Sequence, residues 1–107
     1  MLEARGIRVT AETAPHYFTI TDEAVSQRGT HAKMNPPLRT KRHSMALWEG
    51  LRTGLVDFIA TDHAPHTAEE KASTDYRKAP AGLPLVLVSP ILAITYRMPL
   101  SVIGVMM

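Results

Sequence analysis

At 107 residues the chain is one small domain at most, or a piece of something larger. Its 45% hydrophobic and 21% charged residues are ordinary for globular protein, which sets disorder aside. A formal charge of +2, with basic residues scattered among acids rather than in a Lys/Arg block, argues against nucleic-acid binding. The absence of cysteine excludes disulfides and thiolate metal sites, so any metal chemistry rests on His, Asp and Glu, as expected of a cytoplasmic protein.

The start, MLEARGIRVT, lacks an apolar core and a small-residue cleavage site, so no secretory signal is expected. Leu2 to Arg5 reads as the last turn of a helix with Gly6 as its C-cap. Ile7 to Glu12 then alternates with period two, which predicts a strand that Pro15 ends. Thr21-Asp22-Glu23-Ala24-Val25 has the polar opening of a short helix, its acids favoured by the helix dipole. Pro36-Pro37 forces Met34 and Asn35 into extended backbone. Thr40 is placed to cap a helix with Met45, Trp48, Leu51 and Leu55 near helical spacing and Gly54 suited to stop it. Leu55 to Thr61 follows as a second strand whose continuous apolarity predicts burial on both faces. From Leu83 to Met107 the chain is mostly apolar, but Pro84, Pro90, Pro99 and Arg97 interrupt it. A membrane helix needs about 20 uninterrupted apolar residues, so this tail is expected to be core or a former interface, with no membrane partner.

Two strands joined through a helix, the second of them buried, suggest a parallel βα unit, in which functional groups collect beyond the carboxyl ends of the strands. Both polar clusters obey this: Glu12, Thr13 and His16 follow the first strand, and Asp62, His63 and His66 follow the second. Each has a plainer reading as well. Asp62 could cap the next turn. His63, its neighbour, cannot share a pocket with it unless the strand has ended, because strand neighbours face opposite sides. His66, past Pro65, could be an ordinary hydrogen-bonded loop residue, and His43, beside Lys41 and Arg42, is expected to face solvent. No HxH, HExxH, GxSxG, P-loop or GxGxxG is present, so the chain offers no self-contained metal site by motif.

Taken together, VTAETAPHYF, KMNPPLRT, ALWEGLRTGLVDFIATDHAPHTAEEK and KAPAGLP, in this order and spacing, resemble the closing part of the catalytic barrel of dihydroorotase, class I type, in the amidohydrolase superfamily. The resemblance covers about Gly6 to Pro84. It implies an α/β fold, a partial (β/α)8 TIM barrel consisting of the last two βα units, where a whole barrel takes about 250 residues. Residues 1–107 would then be a partial catalytic domain, with 85–107 an apolar tail of uncertain register: where the family continues Gly-Leu-Glu after Gly82-Leu83-Pro84, this chain has Leu85-Val86-Leu87.

The resemblance also implies roles. Asp62 would end the last strand, ligate one zinc, act as general base on the metal-bound water and pass the proton to the departing ring nitrogen. Asn35, His66, Ala81 and Gly82 would contact the small-molecule substrate, dihydroorotate or N-carbamoyl-aspartate, in pyrimidine biosynthesis. Asn35 before the two prolines separates the chain from hydantoinases and dihydropyrimidinases, which typically place Ser there, and from allantoinases, which place Ala. His16 is expected to be structural, since the family's histidine ligands come from earlier strands. The HxH pair, the bridging acid or modified lysine and the substrate-binding arginine are expected upstream of Met1. Two readings follow: a piece of a zinc-dependent cyclic amide hydrolase, or a non-catalytic remnant or assembly module. In either, self-association or pairing with the missing barrel is expected of the uncovered strand edges.

Overall fold

The computed structural model describes residues 3–98. Two short strands, β1 (Glu12–Thr13) and β2 (Phe58–Ile59), pair in parallel with Glu12 opposite Phe58 and Thr13 opposite Ile59. The expected parallel unit is therefore present, but both strands are shorter than their apolar patterns predict. Hydrogen bonding extends the pairing by one residue on either side: Asp57 N–H donates to the Ala11 carbonyl at 2.8 Å, and Ala60 N–H to the Thr13 carbonyl at 2.9 Å. A strand is held by its ladder, and among the described residues Ile7 to Ala11 has no second strand beside it. Ile7 and Val9 consequently stand 44% and 41% exposed.

The second strand departs from expectation in burial. Ile59, Ala60 and Thr61 are buried, but Leu55 is 77% exposed and Phe58 only half-buried. Continuous apolarity reports a strand meant to be covered on both sides, and here the cover exists only around its carboxyl end.

Pro15 does more than end the first strand. It opens α1 (Pro15–Thr19), where proline suits the first helical turn because its missing N–H would have no partner there. The expected short helix is α2 (Glu23–Arg28), displaced by two residues, and it runs into a 3-10 turn over Gly29–Ala32. Met34 lies outside any helix or strand, Asn35 stands in a bend, and the Asn35–Pro36 bond is cis.

Helix α3 (Lys41–Thr53) follows Thr40 and stops at Gly54, whose φ of 82° is the left-handed conformation that glycine reaches without strain. Thr40 does not cap α3 with its side chain; its hydroxyl instead meets His43 Nδ1 at 2.8 Å. The helix docks by polar contacts as much as by its apolar face. Ser44 Oγ and Trp48 Nε1 both donate to the Phe18 carbonyl, at 2.9 and 2.8 Å, and the Trp48 ring meets Phe18 edge-on at 4.9 Å. Met45, expected on the core face, is 62% exposed, because the surface it would bury against is absent from the described residues.

Beyond β2 the chain makes a single turn, α4 (Ala68–Lys71), with a full capping box: Thr67 accepts from Glu70 N–H and Glu70 accepts from Thr67 N–H. Part of the apolar tail forms α5 (Val88–Thr95), on which Ile91 and Ile94 are 61% and 80% exposed. Residues 99–107 of the tail lie outside the described residues. Ala32, Met34 and Leu38 form a cluster of buried side chains with Tyr17, Ala24, Val25 and Leu83 packed against it. Among the described residues no helix is long and apolar enough to cross a membrane.

Candidate functional site

Beyond the carboxyl ends of β1 and β2 lies a cleft of about 310 Å3 lined by Glu12, Thr13, Ala14, Tyr17, Pro36, Ala60 and Asp62. Asp62 has φ 49°, a left-handed conformation that Asp tolerates better than most residues. The strand has ended there, and this resolves the crowding of Asp62 and His63. Asp62 lines the cleft, while His63 accepts a hydrogen bond at Nδ1 from Val86 N–H at 3.1 Å and pairs its backbone with Leu83. A larger hollow, about 550 Å3, lies between α3 and residues 96–98 and is lined chiefly by Met45, Trp48, Leu51, Tyr96 and Met98. Glu49, Arg52 and Arg97 complete its lining, and none of the expected site residues reaches it.

His16 sits behind the cleft, 1% exposed, with its ring 3.9 Å from that of Tyr17. Neither ring nitrogen has a hydrogen-bond partner among the described residues. Burial pushes its pKa down to about 4, and the negative charge of Asp62 offsets only part of that effect. Burial also raises the Tyr17 phenol, with Asp62 adding to the rise, and the Tyr17 hydroxyl donates to the Pro36 carbonyl at 2.9 Å. The cleft thus favours neutral His16 and neutral Tyr17 beside the Asp62 carboxylate.

The remaining expected site residues are distributed around this centre. Asn35 is exposed and directly precedes Pro36, which lines the cleft. His66 is on the outer loop, with Nδ1 3.4 Å from Glu70 Oε2. Ala81 is half-buried, and Gly82, buried, donates its N–H to the Lys33 carbonyl at 3.1 Å. Gly82 has φ 144°, and a Cβ there would lie 2.5 Å from the Ala64 carbonyl oxygen and 2.7 Å from Ala64 Cβ. Only glycine permits the 82–83 segment to close on the 63–64 segment. Asp62 alone of the five expected residues lines the cleft; the others are at its margin or on the neighbouring loops.

Sequence reasoning missed Tyr17, Lys33 and Lys71. Lys71 is buried, with its pKa lowered by burial and by Lys33, and its Nζ donates to the carbonyls of Lys33 and Gly82. The capping box Thr67-x-x-Glu70 made the turn that Lys71 ends legible, but not the inward course of its side chain.

A zinc centre needs three or four donors in one place. Among the described residues no group of three His, Asp or Glu side chains stands close enough to hold a metal, so the donor set of this chain does not build such a centre by itself.

No protein-family model matches the chain. Among curated proteins it is 62% identical over 68 residues to the dihydroorotase of Desulforapulum autotrophicum, covering 64% of this chain and 16% of that protein. It is 58% identical over 81 residues to that of Pelotomaculum thermopropionicum (76% and 19%), and 52% identical over 92 residues to that of Acetivibrio thermocellus (86% and 21%). Among solved structures it resembles the D-hydantoinase (dihydropyrimidinase) of a Thermus species, with TM-score 0.79 and 30% identity over 88% of this chain and 22% of that one. The L-hydantoinase of Arthrobacter aurescens gives TM-score 0.70 at 33% identity over 77% and 19%. The chain spans about a fifth of the length of the curated relatives it matches. Over that span its sequence is similar to a segment of curated dihydroorotases, and its structure to a segment of solved hydantoinases.

Proposed function

We propose that the chain is the closing part of a dihydroorotase catalytic barrel, its last two βα units, and that it works with the rest of that barrel in the interconversion of N-carbamoyl-L-aspartate and dihydroorotate in pyrimidine biosynthesis. The observation that carries this reading is Asp62 at the carboxyl end of β2, on a cleft shared with the end of β1. Residues 6–84 would form the barrel segment and 85–107 a tail of separate register, in a cytoplasmic protein whose zinc is held jointly with ligands from the rest of the barrel.

In this reading Asp62 is the proton carrier. Ring opening requires that the attacking water lose a proton and that the ring nitrogen gain one, and a carboxylate beside both can take the first and return it as the second. Tyr17 and His16, both kept neutral, add no charge of their own beside Asp62. Asn35, His66, Ala81 and Gly82 are assigned to substrate capture: an amide, an imidazole and two backbone units that can pair with a cyclic imide and a carboxylate. His16, deep and without a path to substrate, is assigned a structural role. The dihydroorotase assignment is preferred to hydantoinase because the identities to dihydroorotases are 52–64%, against 24–33% to hydantoinase and dihydropyrimidinase structures. A non-catalytic assembly module is the second reading, favoured by the exposed apolar residues Met45, Leu55 and Ile94.

The test joins the chain to the upstream barrel of a dihydroorotase relative and assays dihydroorotate hydrolysis. Turnover that Asp62→Asn removes supports the enzyme reading. A folded, zinc-loaded fusion without turnover would favour the assembly module.

A further inference from the structure

Two lysines that the mechanism leaves unused bind backbone oxygens around the site. Lys71, the buried last residue of α4, donates from Nζ to the Lys33 carbonyl at 3.0 Å and the Gly82 carbonyl at 2.7 Å. Lys33 donates from its own Nζ to the carbonyls of Tyr76 at 2.7 Å and Ala79 at 2.6 Å, with Arg77 farther at 3.4 Å. Its ammonium also stands 5.0 Å over the Tyr76 ring. Neither lysine forms an ion pair with a carboxylate among the described residues.

These contacts converge on one piece of irregular chain. Between Lys71 and Leu83 there is no helix or strand, and the buried apolar side chain there is the small Ala79. The segment is fixed instead by its carbonyls, which point at two cations. Gly82 is bound on both its polar atoms, its carbonyl by Lys71 Nζ and its N–H by the Lys33 carbonyl. The Lys33 carbonyl accepts from Gly82 N–H and Lys71 Nζ together. The lysines thus tie the 76–82 loop to the irregular segment that leads into Asn35, and Gly82 in turn abuts Ala64, on the loop between Asp62 and His66.

A buried ammonium without an anion is an expensive way to fill space, and an apolar side chain of similar length would fill it with less desolvation. What the ammonium adds is direction: it fixes where several carbonyl oxygens stand. We infer that Lys33 and Lys71 are positioning residues, a clasp that holds Ala81 and Gly82 at the spacing from Asn35 and His66 that a flat, hydrogen-bonding cyclic imide requires. This inference rests on the substrate-capture reading above for its chemical purpose, and on the hydrogen bonds alone for the clasp itself.

The experiment has two arms. In the 107-residue chain, amide hydrogen exchange read by mass spectrometry should accelerate by about tenfold or more at 76–83 in Lys33→Met and Lys71→Met, with α3 unchanged. Lys33→Arg should restore protection, because a guanidinium reaches the same carbonyls. Should Lys71→Met fail to fold, Lys33→Met, at a half-buried position, carries this arm. In the chain joined to the upstream barrel of a dihydroorotase, Lys33→Met should raise KM for dihydroorotate about tenfold while kcat stays within about threefold. Unchanged exchange in both Met variants overturns the clasp, whatever the kinetics show. Accelerated exchange with an unchanged KM overturns the positioning role. Accelerated exchange in a fusion whose unsubstituted form has no turnover overturns the dihydroorotase reading and leaves the clasp standing.

Discussion

Two regions of the molecule, the carboxyl end of the short parallel sheet and the apolar surface of its helices and connections, are built on opposite plans. Beyond the carboxyl ends of β1 and β2, side chains are closed in by the molecule itself: Ile59, Ala60 and Thr61 are buried, Gly82 closes on Ala64, and Lys71 and Lys33 gather the carbonyls of the intervening loop. Elsewhere, on the approach to β1, on α3, ahead of β2 and on α5, the side chains of Ile7, Val9, Met45, Leu55, Ile91 and Ile94 stand open. The end that carries the cleft is therefore closed largely by the chain's own contacts, whereas the open apolar surface has the composition of one that something else covers. For a chain that spans about a fifth of its relatives, this is the division expected when a barrel is read one segment at a time.

The largest effect should come from the end that carries the cleft. In the fusion with an upstream dihydroorotase barrel, Asp62→Asn should lower kcat by about 10²- to 10⁴-fold, the usual contribution of a positioned proton carrier. The amide keeps the size of the carboxylate but cannot take the proton, so the circular dichroism spectrum should not change. A residual kcat within threefold of the unsubstituted fusion would remove Asp62 from the chemistry.

Gly82→Val tests the same end by stability. Even a Cβ would meet the Ala64 carbonyl oxygen at 2.5 Å, and φ 144° is hostile to a branched side chain. The loop must open or the backbone must shift, at a cost of about 2 to 4 kcal/mol in chemical denaturation. Trp48→Ala addresses the seam between the two regions. It removes the edge-on ring contacts with Phe18 and Tyr96 and the hydrogen bond to the Phe18 carbonyl, and should cost about 2 to 3 kcal/mol, below a fully buried tryptophan because Trp48 is half-buried.

The sequence carried this division unevenly. Continuous apolarity located the second strand and the joining helix gave the parallel relation, but the period-two pattern over Ile7 to Glu12 met the first strand only at Glu12. These patterns could not say that the described residues leave the apolar faces uncovered, so strand lengths and the core roles of Met45 and Leu55 were overestimated. Short elements set by single residues were harder to see. Pro15 reads as a terminator and as a first-turn residue with equal ease, and α1 is only five residues long. At the site, the alternation rule raised the question of how Asp62 and His63 could coexist, and the left-handed backbone at Asp62 answers it. Lys33 and Lys71 left no pattern, because a lysine that binds carbonyls far along the chain looks like any surface lysine until the loop is folded.

His16 gives the comparison a pH dependence. Its pKa lies near 4 in the folded chain against about 6.5 when exposed, so below pH 6.5 the unfolded state takes up the proton first. Stability should be full above pH 6.5, decline as the pH falls towards 4, and level off below that, by about 2 to 3 kcal/mol for this group. His16→Gln should flatten this part of the profile in urea titrations between pH 4 and 7. A slope that survives the substitution would assign the dependence to other groups.

The smallest effect on stability is expected from the open apolar surface. Leu55→Lys and Ile94→Lys replace side chains that are 77% and 80% exposed, so each should move the unfolding free energy by no more than about 0.5 kcal/mol. Their effect on association should be larger than their effect on folding. Apolar side chains this open, beside strands with unpaired edges, promote contact between copies, and two added charges oppose it. Light scattering should show the unsubstituted chain associating as concentration rises and the doubly substituted chain doing so less. In the fusion with the upstream barrel the order should reverse: Leu55→Lys should become destabilising, because a neighbouring segment would then bury it. A Leu55→Lys fusion as stable as its parent would mean that Leu55 faces solvent even when the rest of the barrel is present, and that the open apolar surface is a true outer surface.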